Sequence, residues 1–568
     1  MAAAITRPNA LAHVESESSP GKACDCWQLQ AVVGKPYEIG RVTVVHSRRE
    51  TPEPERAVSS RLEALSAQDL SRHACAHQEA WRRRWHLADV VVDGDVALQT
   101  ALRFALFHLI GTGHPEDPGV SIGARGLSGN GYMGHVFWDA EMFMLPFFTV
   151  THPPTARAML CYRFNTLPAA RERASDFGFA GALYAWESAD TGHDVTPTQA
   201  IGLTGETITV CTGKLSHHIS ADVAHGVWRY WVATGDEPFM LEAGAEILLE
   251  VARFWHSRSV LEADGYCHIR HVIGPDEYHV DVDDNAYTNV MAQWSLERAV
   301  EVAGWLQTHH PERWTDLSNR LGLQATDISG WTDTACRLVT GLDPATGVIE
   351  QFAGFSRLMD VPLPPSQQRE VVLEAITPVA AIARTRTIKQ ADAIMLLQAL
   401  PDRFPEAVQR ATFTCYEPRT IHGSSLSPGT HALVAARLGD LANAERYLRM
   451  AAQIDLDNTM GNAAFGVHMA ALGNLWQAVT QGFAGLRVDA DGIRLDPRLL
   501  PGWRSLAFPI QYHGLRLHLR MTPDRVVITA EGPGNVAIAL GSAAPLLLSS
   551  GCHLAQREGE GWRWRTTT

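Results

Sequence analysis

The residues best able to do chemistry lie in one segment, RHVIGPDEYHVDVDDNAYTN, from Arg270 to Asn289. It gathers Asp276, Glu277, Asp281, Asp283 and Asp284 with His271 and His279, and Gly274-Pro275 reads as a turn that presents them. Adjacent carboxylates repel, so one of Asp276 and Glu277 is expected to hold its proton more tightly, as a general acid must. The spacing fails the helix–loop–helix calcium pattern. A plain solvated acidic loop stays open as the other reading.

Four further segments carry polar chemistry. RGLSGNGYMGHVFWDAEMFMLPFF, from Arg125 to Phe148, leads glycines into a helix, with Trp138 and Asp139 near its start and Glu141 on another face. An aromatic ring beside a carboxylate suits a sugar, although a lone Trp138 would also serve as core. Trp186-Glu187-Ser188 repeats the combination with the same ambiguity. Lys389-Gln390 opens an otherwise apolar helix, and the pair could cap it, face solvent or donate to a substrate. In TIHGSSLSPGTH, from Thr420 to His431, backbone N–H groups, Ser424 and Ser425 precede a helix and could hold an anion or merely cap it. The segment is not a nucleotide triphosphate loop. His468 lies in GNAAFGVHMAALGNLWQAV, where a core histidine is the default.

These segments need a scaffold of helices. From about 95 to 485 the pattern is overwhelmingly helical, as in AHGVWRYWVATGDEPFM and PGTHALVAARLGDLANAERYLRMAAQ. Gly235-Asp236 and Gly439-Asp440 fall where helices should end. The long polar loops between suit a ring of helical hairpins with binding loops. A helical repeat scaffold would show a fixed period, and none recurs. Residues 59–87 read as helix. Before them, the β-branched run Val42–Val45 in YEIGRVTVVHSRRE suggests one strand. After about 486 the period switches to alternation broken by Gly514 and by Thr522-Pro523-Asp524, which indicates a small antiparallel β domain.

Bulk properties exclude several classes. The chain has 568 residues, 46% of them hydrophobic, and a net charge of -14. That balance disfavours nucleic acid and anionic membranes as partners. The basic run Arg82-Arg83-Arg84 reads as a solvated helix face. Nine cysteines are scattered, with Cys24 and Cys26 the close pair, which fits reduced thiols better than a metal site or a disulfide scaffold. The first residues lack an apolar signal core, so a cytoplasmic location is expected.

The motifs GHVFWDAEMFMLPFF, HHISADVAHGVWRYWVATGD, GPDEYHVDVDDNAYTN, KQAD, HGSSLS and GVHMAALG, in this order, resemble glycoside hydrolase family 65, the family of maltose, trehalose, kojibiose and nigerose phosphorylases. The resemblance runs from about residue 36 into the C-terminal β region. It implies a mainly α protein: an (α/α)6 barrel at 95–485, a helical linker at 59–94, a C-terminal β domain at 486–568, and at 1–58 the remnant of an N-terminal β-sandwich or an extended arm. It implies Glu277 as general acid, Trp138, Asp139, Lys389 and Gln390 around the transferred glucosyl unit, and Ser424, Ser425 and His468 around phosphate. The implied reaction is inverting phosphorolysis of an α-linked glucose disaccharide to β-glucose 1-phosphate and a released sugar. Phosphate is then a co-substrate, no cofactor or metal is needed, and a homodimer is one open assembly state. The alternatives are an inverting α-glucoside hydrolase of trehalase or kojibiose-hydrolase type, which needs a second carboxylate to activate water, and an inactive carbohydrate-binding remnant.

Overall fold

A computed structural model describes residues 12–19, 22–37, 42–66, 70–201, 205, 207–363, 379–559 and 561–565. The chain divides into two compact units, residues 1–86 and 87–568.

In the first unit, strands Ala12–Ser19 and Lys22–Gln28 pair antiparallel, and helices Pro54–Ser66 and Leu70–His86 follow. The strand expected at Val42–Val45 does not form; residues 42–47 carry no regular structure. The neighbouring Glu38–Arg41 lie outside the described residues. β-branched composition favours a strand only where a partner ladder exists, and none of the described strands pairs with this run. The hairpin lies instead in the polar stretch before it, where composition gave no strand signal. Arg82 and Arg83 are exposed beside Glu79, as a solvated helix face requires.

The second unit is built on a closed ring of helices. Among the described residues, six inner helices follow one another around it: Ala140–Met144 running into Leu145–Thr151, Ile219–Thr234, Ala286–His309, Ala393–Ala399, Ser427–Leu438, and Met469–Gln477 running into Ala478–Phe483. Each packs on the next, and the sixth packs on the first. Outer helices Val96–Thr112, Pro153–Asn165, Ala245–Arg258, Ala325–Arg337, Glu406–Tyr416 and Leu441–Gln453 each pack on members of this ring. The architecture is the expected (α/α)6 barrel.

Local sequence sets the reversals. Gly235 (φ 65°) and Gly439 (φ 77°) end the second and fifth inner helices in the left-handed region that glycine tolerates. Asp236 and Asp440 then cap the returning helices by accepting from the N–H groups of Phe239 and Asn443. The Gly-Asp pair is thus a stop followed at once by a start.

The C-terminal region is a six-stranded antiparallel sheet and a four-stranded sheet that contains one parallel pairing, Val536–Leu540 with Gly492–Leu495. In Leu515–Met521 the odd-numbered residues face inward and Arg516, His518 and Arg520 outward, the alternation read from the sequence. His513-Gly514 makes the tight turn before it, with φ positive at both residues. Residues Val91–Asp93 supply the edge strand of the larger sheet. That sheet docks on the C-terminal ends of the first two inner helices: Gln511 Nε2 donates to Thr151 O at 2.8 Å, and His513 N donates to Ala233 O at 3.1 Å. The opposite, N-terminal ends stay clear of these contacts. Among the described residues, no helix is long and apolar enough to cross a membrane.

Candidate active site

All five chemical segments converge because each feeds the N-terminus of an inner helix. The residues at those six N-termini are Asp139, His218, Asn285, Asp392, Leu426 and His468. Closing the ring therefore gathers Trp138–Asp139, Glu277, Lys389–Asp392, Ser424–Ser425 and His468 at one mouth, where six helix N-termini add a positive field.

Asp276 and Glu277 are adjacent in sequence but face different surroundings. Asp276 is buried at 1% exposure. Its Oδ2 accepts from His279 Nδ1 at 2.6 Å and Gln351 Nε2 at 3.0 Å, and its Oδ1 accepts from Lys389 N at 2.8 Å. It is a structural anchor. The Glu277 side chain keeps about a third of its surface open, and its Oε2 accepts from Lys389 Nζ at 2.6 Å. Its Oε1 has no hydrogen bond among the described residues.

Asp392 holds the acid loop from behind. It accepts from Asp276 N and from Asn285 Nδ2, both at 3.1 Å. Gly274 is required at the turn because a Cβ there would strike the side chains of Asn285 and Asp392. Burial, reinforced by the Asp276 charge, pushes the Asp392 carboxyl up to about 8. The loop also carries His271, Asp281 and Asp284 in the left-handed region, a strain that non-glycine residues keep only where surroundings enforce it.

Asp139 is partly buried, and its carboxyl makes no hydrogen bond to another described residue. Burial, with Glu141 and Glu277 adding to it, pushes its carboxyl up to about 7. Glu187 is also raised, first by burial and then by Asp194 and Glu277, against the pull of His135, whose Nδ1 lies 2.9 Å from Glu187 Oε2. Burial and Glu277 likewise raise Tyr132. Asp139, Glu187 and Tyr132 thus all feel the charge of Glu277. Reciprocal backbone bonds between Val136 and Ser188, at 2.9 and 3.0 Å, staple the Trp186–Ser188 segment to the strand entering Trp138.

Not every sequence-selected residue is open to a ligand. Trp138 is 2% exposed and packed against Phe143, Trp186, His218 and Tyr287. Gln390 is 4% exposed, and its Nε2 donates to Pro275 O, tying its segment to the acid loop. Ser424 and Ser425 are half-buried ahead of the fifth inner helix. His468 opens the sixth helix, next to the fifth in the ring. Asp455 fixes His468 by accepting from its Nδ1 at 2.7 Å and its N–H at 2.9 Å, which leaves Nε2 free of that clamp.

Asp392, Asp455, Glu187 and Arg125 are the additions that sequence reasoning lacked as site residues. Asp392 sat inside KQAD, Glu187 was noted without a role, and Arg125 opened a quoted motif. Asp455 lies in a stretch with no motif, and only its contact with His468 reveals it.

Comparisons with known proteins identify the family. Residues 103–477 match the model of the glycosyl hydrolase family 65 central catalytic domain, and residues 486–541 match that of the family 65 C-terminal domain. A kojibiose phosphorylase of Caldanaerobacter subterraneus subsp. tengcongensis is 40% identical, over 80% of this chain and 59% of its own length. A 1,2-alpha-glucosylglycerol phosphorylase of Bacillus selenitireducens is 34% identical, over 91% of this chain and 68% of its own. A solved structure, described provisionally as a kojibiose phosphorylase from human microbiome, superposes with a TM-score of 0.81 at 26% identity, covering 89% of this chain and 68% of that one. The chain spans 58–63% of the length of the first three kojibiose phosphorylases it matches.

Proposed function

The chain belongs to glycoside hydrolase family 65, and from that premise we propose that it catalyses inverting phosphorolysis of an α-glucosidic disaccharide, with Glu277 as general acid. The observation that carries the reading is the position of Glu277: a half-open carboxyl at the ring mouth, on the loop ahead of the third inner helix, with Ser424, Ser425 and His468 on the loops ahead of the fifth and sixth. Protonated Glu277 gives its proton to the glycosidic oxygen as the bond to the anomeric carbon breaks. A phosphate oxygen attacks that carbon from the opposite face, forming β-glucose 1-phosphate, and the acceptor sugar leaves with the proton. Phosphate is already an anionic nucleophile, so no carboxylate base is required.

Asp139 and Lys389 are assigned to the glucosyl subsite, with Trp138 as its buried floor and Gln390 behind it, tying its segment to the acid loop. Ser424, Ser425 and His468 are assigned to phosphate. The glucosyl donor is proposed as a class, an α-linked glucose disaccharide, since the relatives named above differ in acceptor. We assign residues 59–94 to a linker, 95–485 to the barrel, 486–568 to the β domain, and 1–58 to an N-terminal arm. An inverting hydrolase is the second reading; it requires a carboxylate base across the sugar ring from Glu277. Cleavage of kojibiose, trehalose, maltose and nigerose with and without phosphate decides between them. Phosphate-dependent release of β-glucose 1-phosphate is expected; free glucose formed at the same rate without phosphate would establish the hydrolase.

A further inference from the structure

Arg125 is a buried cation without a charge partner. It is 5% exposed, its Nε has no hydrogen-bond partner, and its Nη1 donates to the carbonyl of Gly466 at 2.7 Å. No carboxylate among the described residues forms an ion pair with it. Asp139 is close enough to feel it, yet the two form neither an ion pair nor a hydrogen bond. The Tyr132 ring lies 5.6 Å from the guanidinium carbon. A buried charge left in this state is costly, and its usual explanation is a missing partner.

The surroundings hold this arginine deliberately in place. A Cβ on Gly131 would meet Arg125 Cγ at 3.0 Å, and one on Gly466 would meet Arg125 Cβ at 2.9 Å. The glycines of GLSGNGYMG thus let two backbone segments close over the side chain. The same segments are laced together around His468: Val467 N donates to Ser128 Oγ at 2.9 Å, and Met469 N donates to Ala124 O at 3.1 Å. Arg125 and His468 are therefore carried on one stapled pair of loops.

We propose that Arg125 binds the attacking phosphate, an inference that rests on the phosphorylase reading above. Ser424 and Ser425 are neutral donors, and Lys389 is engaged by Glu277. A phosphate dianion is held more tightly with a cation among its ligands, and a guanidinium donates in the planar fork that matches two phosphate oxygens. Arg125 supplies that charge beside His468, and phosphate in turn supplies the anion that Arg125 lacks.

The test varies phosphate against a fixed saturating disaccharide, and then the reverse, for the full chain and for Arg125→Lys and Arg125→Gln. Arg125→Gln should raise the KM for phosphate about tenfold or more while the KM for disaccharide stays within about twofold, and Arg125→Lys should fall between. Should Arg125→Gln fail to fold, Arg125→Lys carries the test, together with the rise in Tm that inorganic phosphate produces in the parent chain and that the lysine variant should reduce. A phosphate-dependent parent whose variants keep the phosphate KM and lose disaccharide binding would make Arg125 a sugar contact and overturn the inference alone. Variants with both constants unchanged would overturn it as well. A parent whose rate ignores phosphate would remove the phosphorylase reading and this inference with it.

Discussion

Lys389 Nζ stands 2.6 Å from Glu277 Oε2, although the two residues arrive on loops ahead of different inner helices. The contact makes the lysine the nearest described partner of the proposed acid.

Glu277→Gln should fold normally and lose nearly all turnover, because an amide of the same shape has no proton to give. A fall in kcat of about 10²–10⁴ is expected. Thermal unfolding checks the fold, and undiminished phosphorolysis would sink the assignment of the acid.

Asp455→Asn should leave the disaccharide KM unchanged and raise the phosphate KM about tenfold, the scale of one charge-assisted hydrogen bond. Asp455 touches His468 at both its backbone N–H and Nδ1, so loss of the carboxylate loosens the ring that faces phosphate. A uniform loss of kcat with both KM values intact would contradict this positioning role.

Stability should fall as pH rises through the neutral range, in part because of Asp392. Burial first, and Asp276 second, hold its carboxyl at about 8 in the folded chain, against an ordinary 3.8. The folded state then binds a proton that the unfolded chain releases at about pH 4, so stability declines from about pH 4 to about pH 8 and levels off above. Asp139, at about 7, acts in the same direction over a shorter span. Asp392→Asn keeps an acceptor for Asp276 N and removes the titration. Its Tm should decline less than the parent's between pH 5 and 8, by about 1–3 °C. Parallel Tm curves for the two proteins would refute the assignment.

Arg163→Met should destabilise the barrel by about 3–5 kcal/mol, the usual cost of orphaning one half of a buried ion pair. Arg163 donates to both oxygens of Glu141, at 2.8 and 2.7 Å, and neither side chain is more than 1% exposed. Adding Glu141→Leu should recover part of the loss, since the double variant buries no lone charge. Denaturant unfolding of the single and double variants measures the coupling.

Chemistry and periodicity were legible in the chain alone. The acid loop, the HGSSLS segment and the Gly-Asp reversals are short-range patterns, and their meaning is set by residues a few positions apart. The switch from helical to alternating period near residue 486 is equally local, and the alternating burial of Leu515–Met521 follows from it. Only the closed ring decided the partners. Glu277 and Lys389 are 112 residues apart, and Arg125 and Gly466 are 341 apart. Which of two adjacent carboxylates turned inward and which stayed half-open depended on Gln351 and Lys389 arriving from other loops, with His279 of the same loop completing the inner set. The misplaced strand at Val42–Val45 has the same origin. Propensity is a property of a segment, whereas a strand also needs a neighbour to pair with, and pairing is settled in three dimensions.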